Sequence, residues 1–137
     1  MVARRQAAPG WFLAVLFLML SLSACTGGIS LRGADLGKTR ATSSGSVLTD
    51  TQGMTLYTYD KDSPGKSNCD GLCAVIWPPA GVVGDSPAPD RFSILTRSDG
   101  SRQWAYDGKP LYGFVSDEKP GDTNGDGSDG VWHAVRP

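Results

Sequence analysis

Two cysteines near the middle of the chain could bind a metal ion, exchange electrons or form a disulfide. Cys69 and Cys73 are separated by three residues. As free thiolates they would be soft ligands suited to Cu(I), or a redox pair. The sequence places no histidine near them, and it lacks the two-residue spacing of the usual redox motif. In an oxidising compartment the same pair forms a structural disulfide, and the leader described below favours that interpretation.

An acidic loop near the C-terminus is the second candidate site. Asp122, Asn124 and Asp126 alternate and are followed by a glycine, as in the first half of a calcium-binding loop. The twelfth position of such a loop usually supplies a bidentate glutamate, and here it is His133. Asp129 supplies a further oxygen only if the loop folds back on itself. The loop therefore predicts either a weak Ca²⁺ site or an exposed turn, and no other cofactor is expected.

His133 is the only histidine, and it limits the catalytic chemistry that the chain offers. It follows Trp132 in a predicted strand, so its side chain points away from the core. A triad or a Cys-His pair would have to use it, yet no G-x-S-x-G motif marks a nucleophile. Zinc needs three or four ligands, which one histidine does not provide. We therefore expect a protein that is not an enzyme.

The elements that must position these residues occur twice. Residues 53–62 align in sequence with residues 108–117 without a gap, and the same shift along the chain aligns Trp77 with Trp132. A repeat at a fixed period indicates one structural unit used twice. In a strand, the two aromatic residues of each repeat point to one face, and the aspartate beyond them can hold a turn. We interpret them as core and turn residues, with ligand stacking as the alternative. The matched residues are Tyr57, Tyr59, Asp62 and Trp77 in the first repeat, and Tyr112, Phe114, Asp117 and Trp132 in the second.

The repeated motif resembles that of a known bacterial family. Besides Tyr57-x-Tyr59-x-x-Asp62 and its second copy, Cys69-x-x-x-Cys73 and the Trp-Pro-Pro that follows also match. The chain resembles the bacterial lipoproteins with a Y-x-(F/W/Y)-x-x-D motif, the secreted repeat of unknown function, over about residues 46–137. The resemblance implies a small exported β-rich domain, often membrane-anchored, with no established activity.

The N-terminus predicts export and lipidation. Arg4 and Arg5 precede an apolar run over residues 11–22, which is too short for a stop-transfer helix. The run ends in Leu-Ser-Ala-Cys, the small-residue box of a lipoprotein signal peptide, so residues 1–24 are expected to be removed. Cys25 would then carry the lipid that anchors the protein to the membrane. In a cell with two membranes, Thr26 favours the outer one.

The mature chain would run from Cys25 to Pro137, a length suited to one small domain. Without the two leader arginines, 11 basic residues face 14 acidic ones, a net charge of −3. No basic cluster exists, which argues against nucleic-acid binding. Residues 25–45 are rich in Gly, Ser, Thr and Ala without a hydrophobic period, which predicts a flexible tether.

The fold class predicted for residues 46–137 is all-β, with repeats at about 46–87 and 92–137. Short strands are expected at 46–49, 55–59, 92–97, 103–106, 109–115 and 131–135, the first two as a hairpin joined by a polar turn. Asp107-Gly108 is a strong two-residue hairpin turn. At most one short helical segment is expected, at residues 70–77, ending before two prolines.

Three hypotheses for function remain open at this point. The first is a lipid-anchored envelope protein with a structural or interaction role. The second is a binding module for a metal ion or small ligand. The third is a copper or redox accessory protein that uses Cys69 and Cys73. The membrane is the expected partner through the lipid, together with an unidentified envelope protein or small ligand.

Overall fold

A computed structural model describes residues 28–137. These residues form a small domain of short strands with one helix of five residues and two turns of 3₁₀ helix. The expected all-β fold is confirmed. Its strands are β1 (Ser30–Leu31), β2 (Lys38–Thr42), β3 (Gly45–Thr49), β4 (Tyr57–Tyr59), β5 (Gly81–Val82), β6 (Phe92–Thr96), β7 (Arg102–Tyr106), β8 (Lys109–Pro110) and β9 (Trp132–Ala134). The helix α1 spans Leu72–Ile76.

The strands form three small sheets. The largest contains β1, β5, β7 and β6 in that order, with β8 also pairing with β7. The other two are the hairpin of β2 with β3 and the antiparallel pair of β4 with β9. The hairpin between β7 and β8 turns at the predicted dipeptide: Asp107 and Gly108 have φ of 48° and 78°. Glycine adopts this left-handed conformation without a steric cost.

The prediction of a flexible tether over residues 25–45 is wrong for residues 28–45, the part that the structure describes. Strand β1 pairs in parallel with β5, and β2 pairs with β3 along its whole length. Leu31 and Leu36 are 4% and 8% exposed, within the core. The polar composition misled the prediction because strands pair through backbone groups, which every residue except proline provides in full. Two leucines suffice to attach this segment to the domain.

Two predicted strands are also differently paired or shorter. The segment at 55–59 was expected to form a hairpin with 46–49, but β3 pairs along its whole length with β2. Only a bridge between Thr49 and Thr55 and a bond from Leu56 N to Leu48 O join the two segments. The strand expected at 109–115 ends at Pro110, and Tyr112 instead bridges to the other repeat.

The two repeats are intertwined. Strand β4 of the first repeat pairs with β9 of the second, with Tyr57 opposite Ala134. Tyr112 is the repeat equivalent of Tyr57, and Pro79 is that of Ala134. These two residues also form a β-bridge, here from the second repeat to the first. Each repeat therefore completes the pairing of the other, so the copies are related by a local two-fold relation.

The core has two clusters of buried side chains, and both repeats contribute to each. The first includes Leu48, Leu56 and Ala80 together with Trp104, Leu111 and Val135. The second includes Val47, Tyr57 and Trp77 together with Tyr112, Trp132 and Ala134. Neither repeat encloses a core of its own.

Candidate functional site

The motif tyrosines meet at the centre of the domain. Tyr57 N donates to Tyr112 O at 2.8 Å, and Tyr112 N donates to Tyr57 O at 3.0 Å. Such an exchange of both bonds between two residues is the hydrogen-bonded pair of an antiparallel ladder. Both tyrosines are 0% exposed. Because they occupy equivalent positions, the local two-fold relation is centred on this pair.

The motif aspartates bind the tyrosines of the opposite repeat. Tyr57 Oη donates to Asp117 Oδ2 at 2.6 Å, and Tyr112 Oη donates to Asp62 Oδ2 at 2.7 Å. The other oxygen of each carboxylate accepts a backbone N–H, from Asn68 to Asp62 and from residue 124 to Asp117. The turn-holding bonds expected from the sequence are therefore present, while the tyrosine partners were not foreseen.

Burial dominates the electrostatics of these two pairs. It is the largest cause that raises the pKa of Asp62 and of Asp117 above the usual range of an aspartate. The pKa of Tyr57 and that of Tyr112 are raised as well, first by burial and further by the neighbouring carboxylate. Both hydroxyls therefore remain protonated at neutral pH and donate hydrogen bonds to the carboxylates.

The motif aromatic residues and the two tryptophans form a stack of four rings. Trp77 and Trp132 are parallel at its centre, with ring centroids 3.8 Å apart and planes 3° apart. Tyr59 stacks on Trp132 and Phe114 on Trp77, each with centroids 4.2 Å apart. The outer rings occupy equivalent positions of the repeats, so the stack follows the local two-fold relation. Its rings pack on one another, which is the core interpretation given to them above.

Gly125 closes one side of this stack. A Cβ at this position would lie 2.6 Å from Trp77 Cη2 and 3.0 Å from Phe114 Cδ1, so no larger residue fits without movement of the rings. Its N–H also donates to Tyr57 Oη at 3.3 Å. The acidic loop is thereby fixed against the aromatic core.

A buried polar network that the sequence did not reveal supports the Tyr112 pair. The guanidinium of Arg97 donates to Ser67 Oγ, Gln103 Oε1 and the backbone oxygen of Cys69. Ser67 Oγ in turn lies 2.7 Å from Tyr112 Oη. Arginine is rarely buried unless it is paired, so a single arginine after a strand gave no signal of this role. The network fixes the loop that carries the cysteines to the core.

Cys69 and Cys73 form a disulfide, with Cα atoms 5.2 Å apart. Cys69 is fully buried in the second core cluster, and Cys73 packs against that cluster at the start of α1. The structural interpretation of the pair is the one that fits this geometry. An oxidised pair has no thiolate to offer to Cu(I).

The residues of the predicted calcium loop have other partners. Asp122 Oδ2 accepts the N–H groups of Glu118 and Lys119 at 3.0 and 3.1 Å. Asp126 Oδ1 accepts Ala134 N, and its Oδ2 accepts Arg136 Nη2 at 2.7 Å, which lowers the pKa of this carboxyl.

Asn124 donates to Ser116 O, and Asp129 lies exposed in the 3₁₀ turn Ser128–Gly130. Within residues 28–137, no three His, Cys, Asp or Glu side chains converge as metal ligands. The structure thus does not bring these four residues together as ligands, which favours the exposed turn over the weak Ca²⁺ site as the alternative to test.

The single histidine is exposed, as its strand position predicts. His133 Nε2 lies 2.7 Å from Asp60 Oδ2, and the two side chains are 46% and 52% exposed. The pair joins β9 to the end of β4 at the surface.

The repeat relation also generates two equivalent surface clefts with different chemistry, each containing one motif aspartate. One has a volume of about 220 Å³ and is lined by Asp60 and Lys109, among others. The other, of about 270 Å³, has Val115 and Met54 at the equivalent positions. At these two positions the cleft is therefore charged in one copy and apolar in the other.

Cys25 and the predicted leader lie outside the described residues. Among residues 28–137 there is no helix with both the length and the apolar character needed to cross a membrane.

These features define a class of protein: an all-β domain made of two intertwined copies of one unit, joined by reciprocal Tyr–Asp bonds. The chain belongs to the family described as the secreted repeat of unknown function, whose model matches residues 38–81 and 93–136. The two matches coincide with the two structural copies, and the first begins at β2. The description indicates a location outside the cytoplasm, extracellular or in the envelope. A search of curated proteins and one of solved structures each found no significant match.

Proposed function

We propose that this protein is a lipid-anchored domain of the bacterial envelope with a structural or interaction role rather than a catalytic one. The anchor is the diacylglycerol on Cys25, and the outer membrane is its location in a cell with two membranes. The partner is an envelope protein or a small ligand held at the domain's surface.

The reciprocal Tyr–Asp pairing carries this proposal. Tyr57 and Asp117, and likewise Tyr112 and Asp62, are the residues that a buried acid–base site would use. They bind each other across the two-fold relation, and their remaining polar atoms are bound to backbone N–H groups or to Ser67. A motif used in this way joins the two repeats into one rigid module. Such a module supports a role in which its surface contacts a partner.

The leader supports the anchoring half of the proposal. An apolar run that ends in Leu-Ser-Ala-Cys supplies both the export signal and the acylated thiol. Two or more acyl chains hold a protein at a membrane with a strength of about 0.8 kcal/mol per buried methylene.

Metabolic labelling with a fatty acid tests the anchor. The wild-type protein should take up the label and sediment with membranes, whereas Cys25→Ser should remain an unlabelled precursor or become soluble. The double variant Cys69→Ala/Cys73→Ala is the matched control, because it removes two cysteines and keeps Cys25. Equal labelling and equal sedimentation of wild type and Cys25→Ser would exclude lipidation at Cys25.

Cross-linking in intact cells tests the interaction role. Wild-type protein should give discrete adducts with one or a few envelope components, and Cys25→Ser should lose them if the anchor brings the domain to its partner. A protein that gives no adduct above background at any surface position would contradict an interaction role. Adducts unchanged in the soluble variant would show that the anchor is not needed for contact.

A further inference from the structure

Exposed apolar side chains are concentrated on one face. Of the five large hydrophobic residues exposed among residues 28–137, four lie together. Leu72, Val75 and Ile76 have the i, i+3, i+4 spacing of one helix face, and are 81%, 65% and 48% exposed. Val115 is 56% exposed, and its N–H donates to Ile76 O at 3.1 Å. We call these four residues the α1 face.

The fold itself does not require an apolar α1 face. The second repeat has a 3₁₀ turn, Ser128–Gly130, within the segment equivalent to α1. The residues at the repeat-equivalent positions of Leu72, Val75 and Val115 are Gly127, Gly130 and Asp60. Three of the four positions are therefore occupied by glycine or by a charged residue in the other repeat, so the fold does not require apolar residues there. The fourth residue, Ile76, corresponds to Val131, which packs against the second core cluster.

The described chain begins beside the α1 face. Ile29 packs against Gly113, where an added Cβ would clash with the Ile29 side chain. Gly113 N donates to Pro78 O at 2.8 Å, two residues beyond Ile76. Ile29 and Val115 also line the same cleft. The N-terminal segment thus enters the domain at the edge of this face.

The covalent chain then fixes how far the lipid is from the face. Cys25 precedes Gly28 by three residues, which span at most about 11 Å when fully extended. A bilayer that holds the acyl chains of Cys25 must therefore lie close to Ile29. A short link also gives a high effective concentration, so a small apolar surface suffices for contact.

We propose that the α1 face docks on the surface of the bilayer that holds the lipid anchor, with Leu72, Val75, Ile76 and Val115 contacting lipid. We assign lipid as the partner of this face because only a few residues of chain separate the lipid anchor from it. The proposal rests on lipidation of Cys25. Docking of this face would set the orientation of the domain on the membrane.

Photo-cross-linking of the complete lipidated protein in vesicles tests the orientation. A diazirine analogue of leucine replaces Leu72 in one sample and Ile94 in the other, in vesicles of phosphatidylethanolamine with a minor fraction of phosphatidylglycerol. Ile94 is the matched control because it is the one exposed large hydrophobic residue outside the α1 face among the described residues. Mass spectrometry counts lipid adducts at each position. We expect several-fold more lipid adducts at position 72 than at position 94.

Equal yields of lipid adduct at the two positions would overturn the proposal. Adducts at position 72 made mainly with a second protein copy, or with another protein in native envelopes, would overturn it too. The intact mass of the purified protein separates this result from failure of the anchor. Protein without acyl chains on Cys25 would overturn both proposals, whereas acylated protein with equal yields would overturn only the docking.

A second set of variants removes the α1 face without changing the anchor. The triple variant Leu72→Ser/Val75→Ser/Val115→Asp should remain membrane-bound through its lipid. In this variant, the amides of α1 should exchange hydrogen equally fast with and without vesicles. The control Ile94→Ser should leave the protection of α1 by vesicles unchanged. Wild-type α1 amides that exchange equally fast with and without vesicles would contradict contact with lipid.

Discussion

Tyr57 and Tyr112, which occupy the same position in the two repeats, exchange both backbone hydrogen bonds at the centre of the molecule, at 2.8 and 3.0 Å. Their side chains then diverge to the aspartate of the opposite repeat. The conspicuous motif of this chain is therefore a joint between two copies of one unit. Disturbing either tyrosine should weaken the association of both repeats.

Removing one tyrosine hydroxyl should destabilise the whole domain. Tyr57→Phe removes the donor to Asp117 Oδ2 and leaves that buried oxygen unpaired, which costs about 1–3 kcal/mol of unfolding free energy. Tyr112→Phe should cost a similar amount. The control is Tyr59→Phe, which keeps the stacked ring and introduces the residue already present at the equivalent Phe114. Urea unfolding measures all three, and a Tyr57→Phe loss no larger than that of Tyr59→Phe would contradict the role of the pair.

The raised pKa of Asp117 gives a pH dependence of known sign. The folded protein binds this proton more tightly than the unfolded chain, whose aspartates titrate near about 3.9. Stability from this group is thus complete below the unfolded pKa and is lost as the pH rises through the folded pKa. Wild type should gain stability relative to Asp117→Asn as the pH falls from 7 towards about 4. Unfolding curves across that window measure the difference, and a constant difference would contradict burial as the cause.

Truncation of either central tryptophan should unfold both repeats together. Trp77→Ala and Trp132→Ala each remove a ring from the four-ring stack and should cost about 3–5 kcal/mol. Fluorescence and circular dichroism should report a single coincident transition in each variant. A fragment of residues 88–137 should show no cooperative melting, because both core clusters need side chains from both repeats. Cooperative melting of that fragment would show that a repeat folds alone.

Reduction of the disulfide should lower stability modestly. The chain-entropy model assigns about 2 kcal/mol to so short a loop. Denaturant midpoints with and without reductant measure the effect. The Cys69→Ala/Cys73→Ala variant is the control, since its midpoint should not respond to reductant. Two alkylatable thiols in freshly isolated wild-type protein would favour a redox or metal role for the pair.

Calcium should not stabilise the domain measurably, because both oxygens of Asp126 already bind Ala134 N and Arg136. Melting curves with Ca²⁺ and with Mg²⁺, at concentrations about tenfold above the millimolar weak end of extracellular sites, provide the test. A Ca²⁺-specific rise of about 1.4 kcal/mol, reduced in Asp126→Asn, would instead establish a single occupied site.

The local features can be predicted from the amino-acid sequence alone. The fixed period of the repeat located the two copies, alternation placed Tyr57 and Tyr59 on one strand face, and Asp107-Gly108 marked its turn. These features depend on a residue and its near neighbours, or on comparison of the chain with itself, so they can be read without knowing the rest of the fold. The segment before β3 was misread because its strands pair through the backbone and leave most side chains exposed.

The copy of the motif that each residue binds depends on the packing of the whole domain. Tyr57 lies five residues from Asp62 and sixty from Asp117, and the sequence pattern is the same for either pairing. The intertwined packing brings the distant aspartate within 2.6 Å, because β4 pairs with β9 of the other repeat. The buried position of Arg97 likewise follows from packing, since its four acceptors come from segments up to 30 residues away.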